Sequence, residues 1–222
     1  MNYFAHAIRF LDDPFFLSGT ALPDWLSVVD RRSRVPSKSA LRFVQHHDHE
    51  LAALARGVVQ HHRDDARFHG SHAFLSTSAA LTAGIRQILR GDEGFRPAFL
   101  GHILVEILLD AELIRDAPLQ LARYYELMDS VDAARVAHLV GHMATRPVPQ
   151  LEIFIPLFSA ERFLYDYSDD AKLLKRLNRV LQRVGLPTID DEFLKLLPDF
   201  RERVRSVRAE LFDDWTRKEN GS

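Results

Sequence analysis

From Leu100 to Ile114 the chain reads L-G-H-I-L-V-E-I-L-L-D-A-E-L-I. A helix this apolar on nearly every side is stable only when buried. His102, Glu106 and Asp110 interrupt it at intervals of four residues. At 3.6 residues per turn each step advances about 40° around the axis, so the three polar groups share one stripe. A buried ionised carboxylate is costly unless it is paired or holds a metal. The segment therefore demands a fold thick enough to enclose a helix, and positive charge supplied from elsewhere in the chain. An ion-pair network with arginines would meet that demand, as would a metal, or a wetter position for Asp110 at the helix end.

The rest of the sequence supplies such a fold. Helical periodicity dominates and no run alternates as a strand, which predicts an all-α, single-domain multi-helix bundle. A chain of 222 residues with 46% hydrophobic and 27% charged residues can bury a sizeable core. A short helix is expected over Met1 to Leu11, ending before Asp13-Pro14. Residues 14 to 36 read as short helices or turns broken by Gly19, Pro23 and Pro36. A long helix follows from about Asp48 to Phe68, then one from Ser71 to about Leu89 with Phe74, Leu75, Leu81, Ile85 and Ile88 inward. Arg90 to Pro97 reads as a loop before the apolar helix. Further helices are expected near 118–129, 131–144, 149–166, 169–184 and 190–216, with Pro198 as a kink or break and Asn220-Gly221-Ser222 as a frayed end. A boundary near Pro147-Val148-Pro149 divides a helical domain, 1–147, from a helical C-terminal extension, 148–222, packing on it. Tyr124, Tyr125, Phe154, Phe158, Phe163, Tyr165 and Tyr167 read as core and cover.

The long helix carries a complementary stripe. Leu51, Leu54, Ala55, Val58, His61, His62, Asp65 and His69 fall on one side of it, with His61 and Asp65 four apart. Two helices that each aim a His and a carboxylate from an apolar face are how helical bundles build metal sites. Cys is absent, so any metal is held by nitrogen and oxygen, which suits zinc, manganese or ferrous iron alike. His6, on the first helix, and Asp24, after Pro23, join as N-terminal candidates. Singly, His6 reads as a core or surface histidine and Asp24 as a helix cap. The string His46-His47-Asp48-His49-Glu50 looks like a ligand cluster, but Asp48 reads better as a helix N-cap with Glu50 near the positive end of the dipole.

Met1-Asn2-Tyr3-Phe4-Ala5-His6 resembles the M-N-aromatic-L-A-H start of bacterial acyl carrier protein phosphodiesterases, relatives of the HD phosphohydrolases. Gly57-Val58-Val59-Gln60-His61-His62-Arg63-Asp64-Asp65 is similar to that family's G-[IV]-x-x-H-x-x-x-D segment. Gly19 to Asp24 matches its Gly-x-x-x-Asp segment with one extra residue, and His102 to Ile107 replaces its D-x-x-x-D-H helix. The F-L-S-G-T-A-L-P-D string is also similar to zinc-dependent phospholipase C-like helical proteins. The resemblance covers residues 1 to 115. It implies a metal-dependent phosphodiesterase or phosphatase, in the first family one that uses manganese and acts on the phosphopantetheine arm of acyl carrier protein.

Together these readings give one centre. One or two divalent ions are held by His6, Asp24, His61, Asp65, His102 and Glu106, with His62, His69 and Asp110 as auxiliaries. Asp65 or Glu106 orients or deprotonates water, and Arg63 contacts phosphate or pairs with Asp64 at the surface. The expected substrate is a phosphoester, either free or carried on an acidic protein. The basic loop of Arg31, Arg32, Arg34 and Lys38 would receive it, or is simply solvated, as is the basic face of Lys172, Lys175, Arg176, Arg179 and Arg183. The alternatives are a non-catalytic helical scaffold or binding protein with a buried His/carboxylate ion-pair network, and a carboxylate di-iron bundle, which the lack of an E-x-x-H pair disfavours. A net charge of −2 gives no field for nucleic acid. No signal peptide or membrane span is expected, and the lack of Cys fits the cytoplasm.

Overall fold

A computed structural model describes residues 1–89 and 95–213, and those residues form an all-α, multi-helix fold with no strand. The helices are α1 (Tyr3–Ala7), α2 (Pro14–Val29), α3 (Ser37–Ala40), α4 (His49–Gly70), α5 (His72–Ile88), α6 (Phe95–Asp116), α7 (Pro118–Asp129), α8 (Ala133–Val140), α9 (Leu151–Ala160), α10 (Asp170–Arg183) and α11 (Leu197–Ser206). No helix among the described residues is long and apolar enough to cross a membrane. The start of the expected loop at Arg90, the reach of the last helix to 216, and the tail Asn220-Gly221-Ser222 lie outside the described residues.

The chain divides into two compact units that are discontinuous in sequence. The first holds Met1, Tyr3–Ala66 and Ala117–Arg162, and the second holds Asn2, Arg67–Asp116 and the chain from Phe163 onward. Neither unit ends at 147/148. Thr145 is tied into the first unit, since its N–H donates to the Arg34 carbonyl at 2.9 Å and its hydroxyl accepts from the Arg34 N–H at 3.1 Å.

In the first unit the expected breaks at Gly19 and Pro23 do not occur, and Pro14 to Val29 form one helix. Asp13 caps it by accepting from the N–H groups of Phe15 and Phe16, and Pro14 opens the first turn. Pro23 removes one bond from the ladder, at a cost on the order of 3 kcal/mol. Burial of Leu17, Leu22, Trp25 and Leu26 on the same helix offsets that. Gly19 is a contact point instead of a breaker. A Cβ there would stand 2.2 Å from the Leu54 carbonyl oxygen, and one on Gly57 would stand 2.2 Å from the Phe16 carbonyl oxygen. Two facing glycines thus let the α2 and α4 backbones touch.

α4 begins as its sequence indicates. The Asp48 carboxylate accepts from the N–H groups of Glu50 and Leu51, and Arg135 grips Asp48 and Glu50. Leu51, Leu54, Ala55, Val58 and His61 are buried along one stripe. Trp25 of α2 and Phe158 of α9 pack edge-on, with ring centroids 5.4 Å apart.

In the second unit Ser71 caps α5 by accepting from the Phe74 N–H. Phe74, Leu81 and Ile85 face inward, but Leu75 does not and is 57% exposed. It stands about 100° around the axis from the Phe74 stripe. α5 and α6 meet closely at Gly101, where a Cβ would lie 2.2 Å from the Thr82 hydroxyl oxygen. The apolar helix is buried, with Leu100, Leu104, Leu108 and Leu109 fully enclosed. α9 stops well short of 166, because Arg162 adopts a left-handed φ of 48°. A 3-10 stretch, Phe163–Ser168, follows, leaving Tyr165 exposed and Tyr167 buried. Pro198 does not kink a long helix. It sits in the first turn of α11, after a separate 3-10 stretch over Asp191–Leu196.

The glycine contact gives a direct test. Gly57→Ala drives a methyl into backbone and destabilises the fold by about 3 kcal/mol or more. This exceeds the gain of about 1 kcal/mol in helix propensity. At roughly 2–4 °C per kcal/mol for a chain of this size, the melting midpoint by circular dichroism drops clearly. Gly70→Ala, where nothing lies within 4 Å, leaves it unchanged or slightly higher.

Candidate metal centre

The first unit brings His6, His61 and Asp65 together, with one ligand atom from each lying within 4.8 Å of the others. α1 carries His6, and α4 carries His61 and Asp65 one turn apart. The two imidazoles stack with centroids 4.2 Å apart and planes 26° apart. Their Nε2 atoms face the same carboxylate: His6 Nε2 is 3.2 Å from Asp65 Oδ1, and His61 Nε2 is 3.3 Å from Asp65 Oδ2. The Met1 amino group is 2.7 Å from Asp65 Oδ1.

The close approach of α2 sets the His61 tautomer. His61 Nδ1 donates to the Thr20 carbonyl at 2.8 Å. Nδ1 therefore carries a proton and Nε2 is left to face Asp65. A backbone carbonyl holding the far nitrogen is the usual second partner of a metal-ligating histidine. His6 is wholly buried, yet neither of its ring nitrogens has an aligned hydrogen-bond partner. The short distances to Asp64 and Asp65 miss the required angles, so proximity here is not a hydrogen bond. A cation between His6, His61 and Asp65 would satisfy an otherwise orphaned nitrogen, and the donor set of two imidazoles and a carboxylate suits zinc, manganese or iron.

Electrostatics follow from this packing. Burial opposes the charged form of Asp65, but the imidazoles of His6 and His61 and the Met1 ammonium outweigh it and hold the carboxyl far below the aspartate range. Burial likewise opposes an imidazolium at His61, and Asp65 and Asp24 overcome it to hold His61 above its ordinary value. Asp24 sits one turn beyond Thr20 on α2. Some of its surface is accessible, yet it is so densely surrounded that burial pushes its carboxyl up, against the pull of His61 and His6. It stands outside the tight triad.

The second unit contains another triad, His69, His102 and Glu106. His69 Nε2 is 2.8 Å and His102 Nε2 3.2 Å from the same oxygen, Glu106 Oε1. Burial opposes the Glu106 charge, and positive charge with the two imidazole hydrogen bonds holds the carboxyl well below the glutamate range. Of the six residues read as one ligand set, five are thus divided between two groups, Asp24 belongs to neither, and His69, an expected auxiliary, is a full member of the second.

The other candidates fall elsewhere. His62 Nε2 donates to the Val35 carbonyl at 2.9 Å, which pins the segment before α3. Asp110 is fully buried on α6 and belongs to neither triad. Arg63 is exposed on α4, about 160–200° around the axis from His61 and Asp65. Its expected partner Asp64 is buried instead, where Arg9 Nη2 contacts both carboxylate oxygens at 3.0 Å and Gln60 donates at 2.8 Å. Arg9 and the Thr20 carbonyl escaped the sequence reading. Arg9 lies three residues beyond His6, a spacing that places both on one side of the first helix's path, whereas a backbone carbonyl leaves no mark in sequence.

No protein-family model, curated protein or solved structure matches this chain.

The triad in the first unit makes a pH-dependent prediction. His61 is held above its ordinary 6.5, so in chelator-treated protein its contribution to stability is complete below pH 6.5 and is lost as pH rises through its folded value. The gap in urea midpoint between the native protein and His61→Gln is constant from about pH 5 to 6.5 and shrinks at higher pH. A gap that widens with pH would contradict the charged pairing of His61 with Asp65.

Proposed function

We propose that this chain is a metal-dependent hydrolase of phosphoesters, with His6, His61 and Asp65 as the metal-holding group. The observation that carries the reading is the buried convergence of two imidazole Nε2 atoms on Asp65, with both His6 nitrogens otherwise unsatisfied. A bound divalent ion supplies positive charge against phosphoryl oxygens and shifts the pKa of water toward neutrality. The Thr20 carbonyl keeps His61 in the tautomer that presents Nε2. Asp64, neutralised by Arg9, backs His6 without competing for the ion. Asp24, whose carboxyl burial holds high against the pull of both imidazoles, would take up and return a proton. The resemblance of the Met1–His6 and Gly57–Asp65 segments to acyl carrier protein phosphodiesterases favours a phosphodiester, manganese as the metal and an acidic carrier protein as the vehicle.

A second reading rests on the Met1 ammonium at 2.7 Å from Asp65. With His61 protonated, Met1 and His61 balance the buried carboxylates without an ion, and the chain is a non-catalytic helical scaffold or binding protein. Elemental mass spectrometry on protein purified without chelator, then incubated with manganese, zinc or iron, separates the two. The hydrolase reading expects stoichiometric metal and turnover of bis(p-nitrophenyl) phosphate. His61→Ala and Asp65→Asn, while still folded, lose the one metal equivalent that this triad holds, and the rate falls by more than about a hundredfold. Protein that takes up none of the three metals leaves the scaffold reading.

A further inference from the structure

We infer that His69, His102 and Glu106 hold a divalent transition metal of their own, with zinc the best chemical match. The inference is independent of phosphoester hydrolysis and concerns the second unit alone. The construction repeats that of the first triad. A His and a carboxylate sit four apart on one helix, here His102 and Glu106 on α6, and a second imidazole arrives from another segment, here His69 at the end of α4. The rings again stack, with centroids 4.9 Å apart and planes 26° apart, so that both Nε2 edges point the same way. Each Nε2 lies within 3.2 Å of Glu106 Oε1, and ligand atoms of all three residues lie within 4.8 Å of one another.

The surroundings hold this arrangement in place. Phe74 stands edge-on to both rings, with centroids 4.9 Å from each. Gly101, the residue before His102, is pressed against α5, so the backbone that carries His102 cannot drift. Yet His102 is 45% and His69 32% exposed, with Glu106 at 17%. Half-exposed imidazoles can bond to water, so burial does not force them onto one oxygen. That oxygen accepts from two Nε2–H groups only if both nitrogens are protonated. One cation in place of the two protons satisfies the same three atoms. Two imidazole nitrogens and a carboxylate oxygen are a familiar zinc donor set, and the exposure leaves a path for the ion and room for water to complete its shell.

Isothermal titration of chelator-stripped protein with zinc, and cobalt(II) absorbance as a second readout, test this on the full chain. The variants are His102→Ala, Glu106→Gln and His61→Ala, each checked for fold by circular dichroism. His102 is exposed enough that its removal opens no core cavity. The expected result is a zinc equivalent that His102→Ala and Glu106→Gln weaken by about a hundredfold or more and that His61→Ala retains. This result holds whether or not a second equivalent answers to His61. An equivalent lost in His61→Ala but kept in His102→Ala and Glu106→Gln overturns the inference and leaves the proposed hydrolase centre standing. A single equivalent lost in all three variants overturns it too, since one shared ion is not a site of the second triad's own. No zinc uptake at all overturns the inference, and the manganese and iron incubations then decide the first triad.

Discussion

α2 lies on α4 at backbone distance because Gly19 and Gly57 face each other with no side chain between them. From that contact the chemistry of the first unit follows. Thr20, next to Gly19, brings its carbonyl to His61 Nδ1, and Asp24, one turn on, comes close enough to feel both imidazoles. Were α2 lifted by the thickness of a methyl group, His61 would lose the acceptor that sets its tautomer. Its ring could then flip to offer either nitrogen. The glycines are structural residues with a chemical consequence, and this explains how a helix can contain Gly19 and Pro23 and still be continuous.

The charged residues of this unit are sorted by how they are neutralised. Asp64 and Asp65 are neighbours in sequence and point to different partners. Asp64 is fully buried and satisfied by Arg9 and Gln60. Asp65 is shared between the two imidazoles and the Met1 ammonium. A helix turns about 100° per residue, so adjacent acids can serve different purposes: one anchors the turn after α1 to α4, and the other remains for the triad. The second unit follows the same division, with Glu106 facing its imidazoles and Glu112, buried six residues on, held by Arg115 and Arg205.

Much of this was legible in the sequence. The i, i+4 spacing of His61 with Asp65 and of His102 with Glu106 put each pair on one face, and periodicity with caps at Asp48 and Ser71 located the helices that carry them. What was not legible was tertiary. Two stripes of like composition on two helices suggest one shared centre, but spacing along a helix says nothing about which stripe faces which. His69 looked peripheral because it ends the α4 stripe, and its role emerges only when α6 is placed beside it. Gly19 and Pro23 read as breakers because their local preference is to break. Packing of Leu17, Leu22, Trp25 and Leu26 outweighs that preference. Leu75 is as apolar as the inward residues of α5 but stands about a quarter turn off their stripe, which leaves it exposed.

The two readings of the first triad differ in protons more than in shape. Metal coordination needs both imidazoles neutral at Nε2, with Thr20 holding the far nitrogen of His61. The ion-pair network needs His61 protonated at both nitrogens, a state that burial opposes and that Asp65 and Asp24 sustain. The network leaves His6 poorly served, because neither of its buried ring nitrogens is aligned for a hydrogen bond. A buried group that costs free energy in one state and gains a partner in another favours the second wherever the ion is available. That asymmetry at His6, more than the number of carboxylates nearby, favours a metal in the first unit.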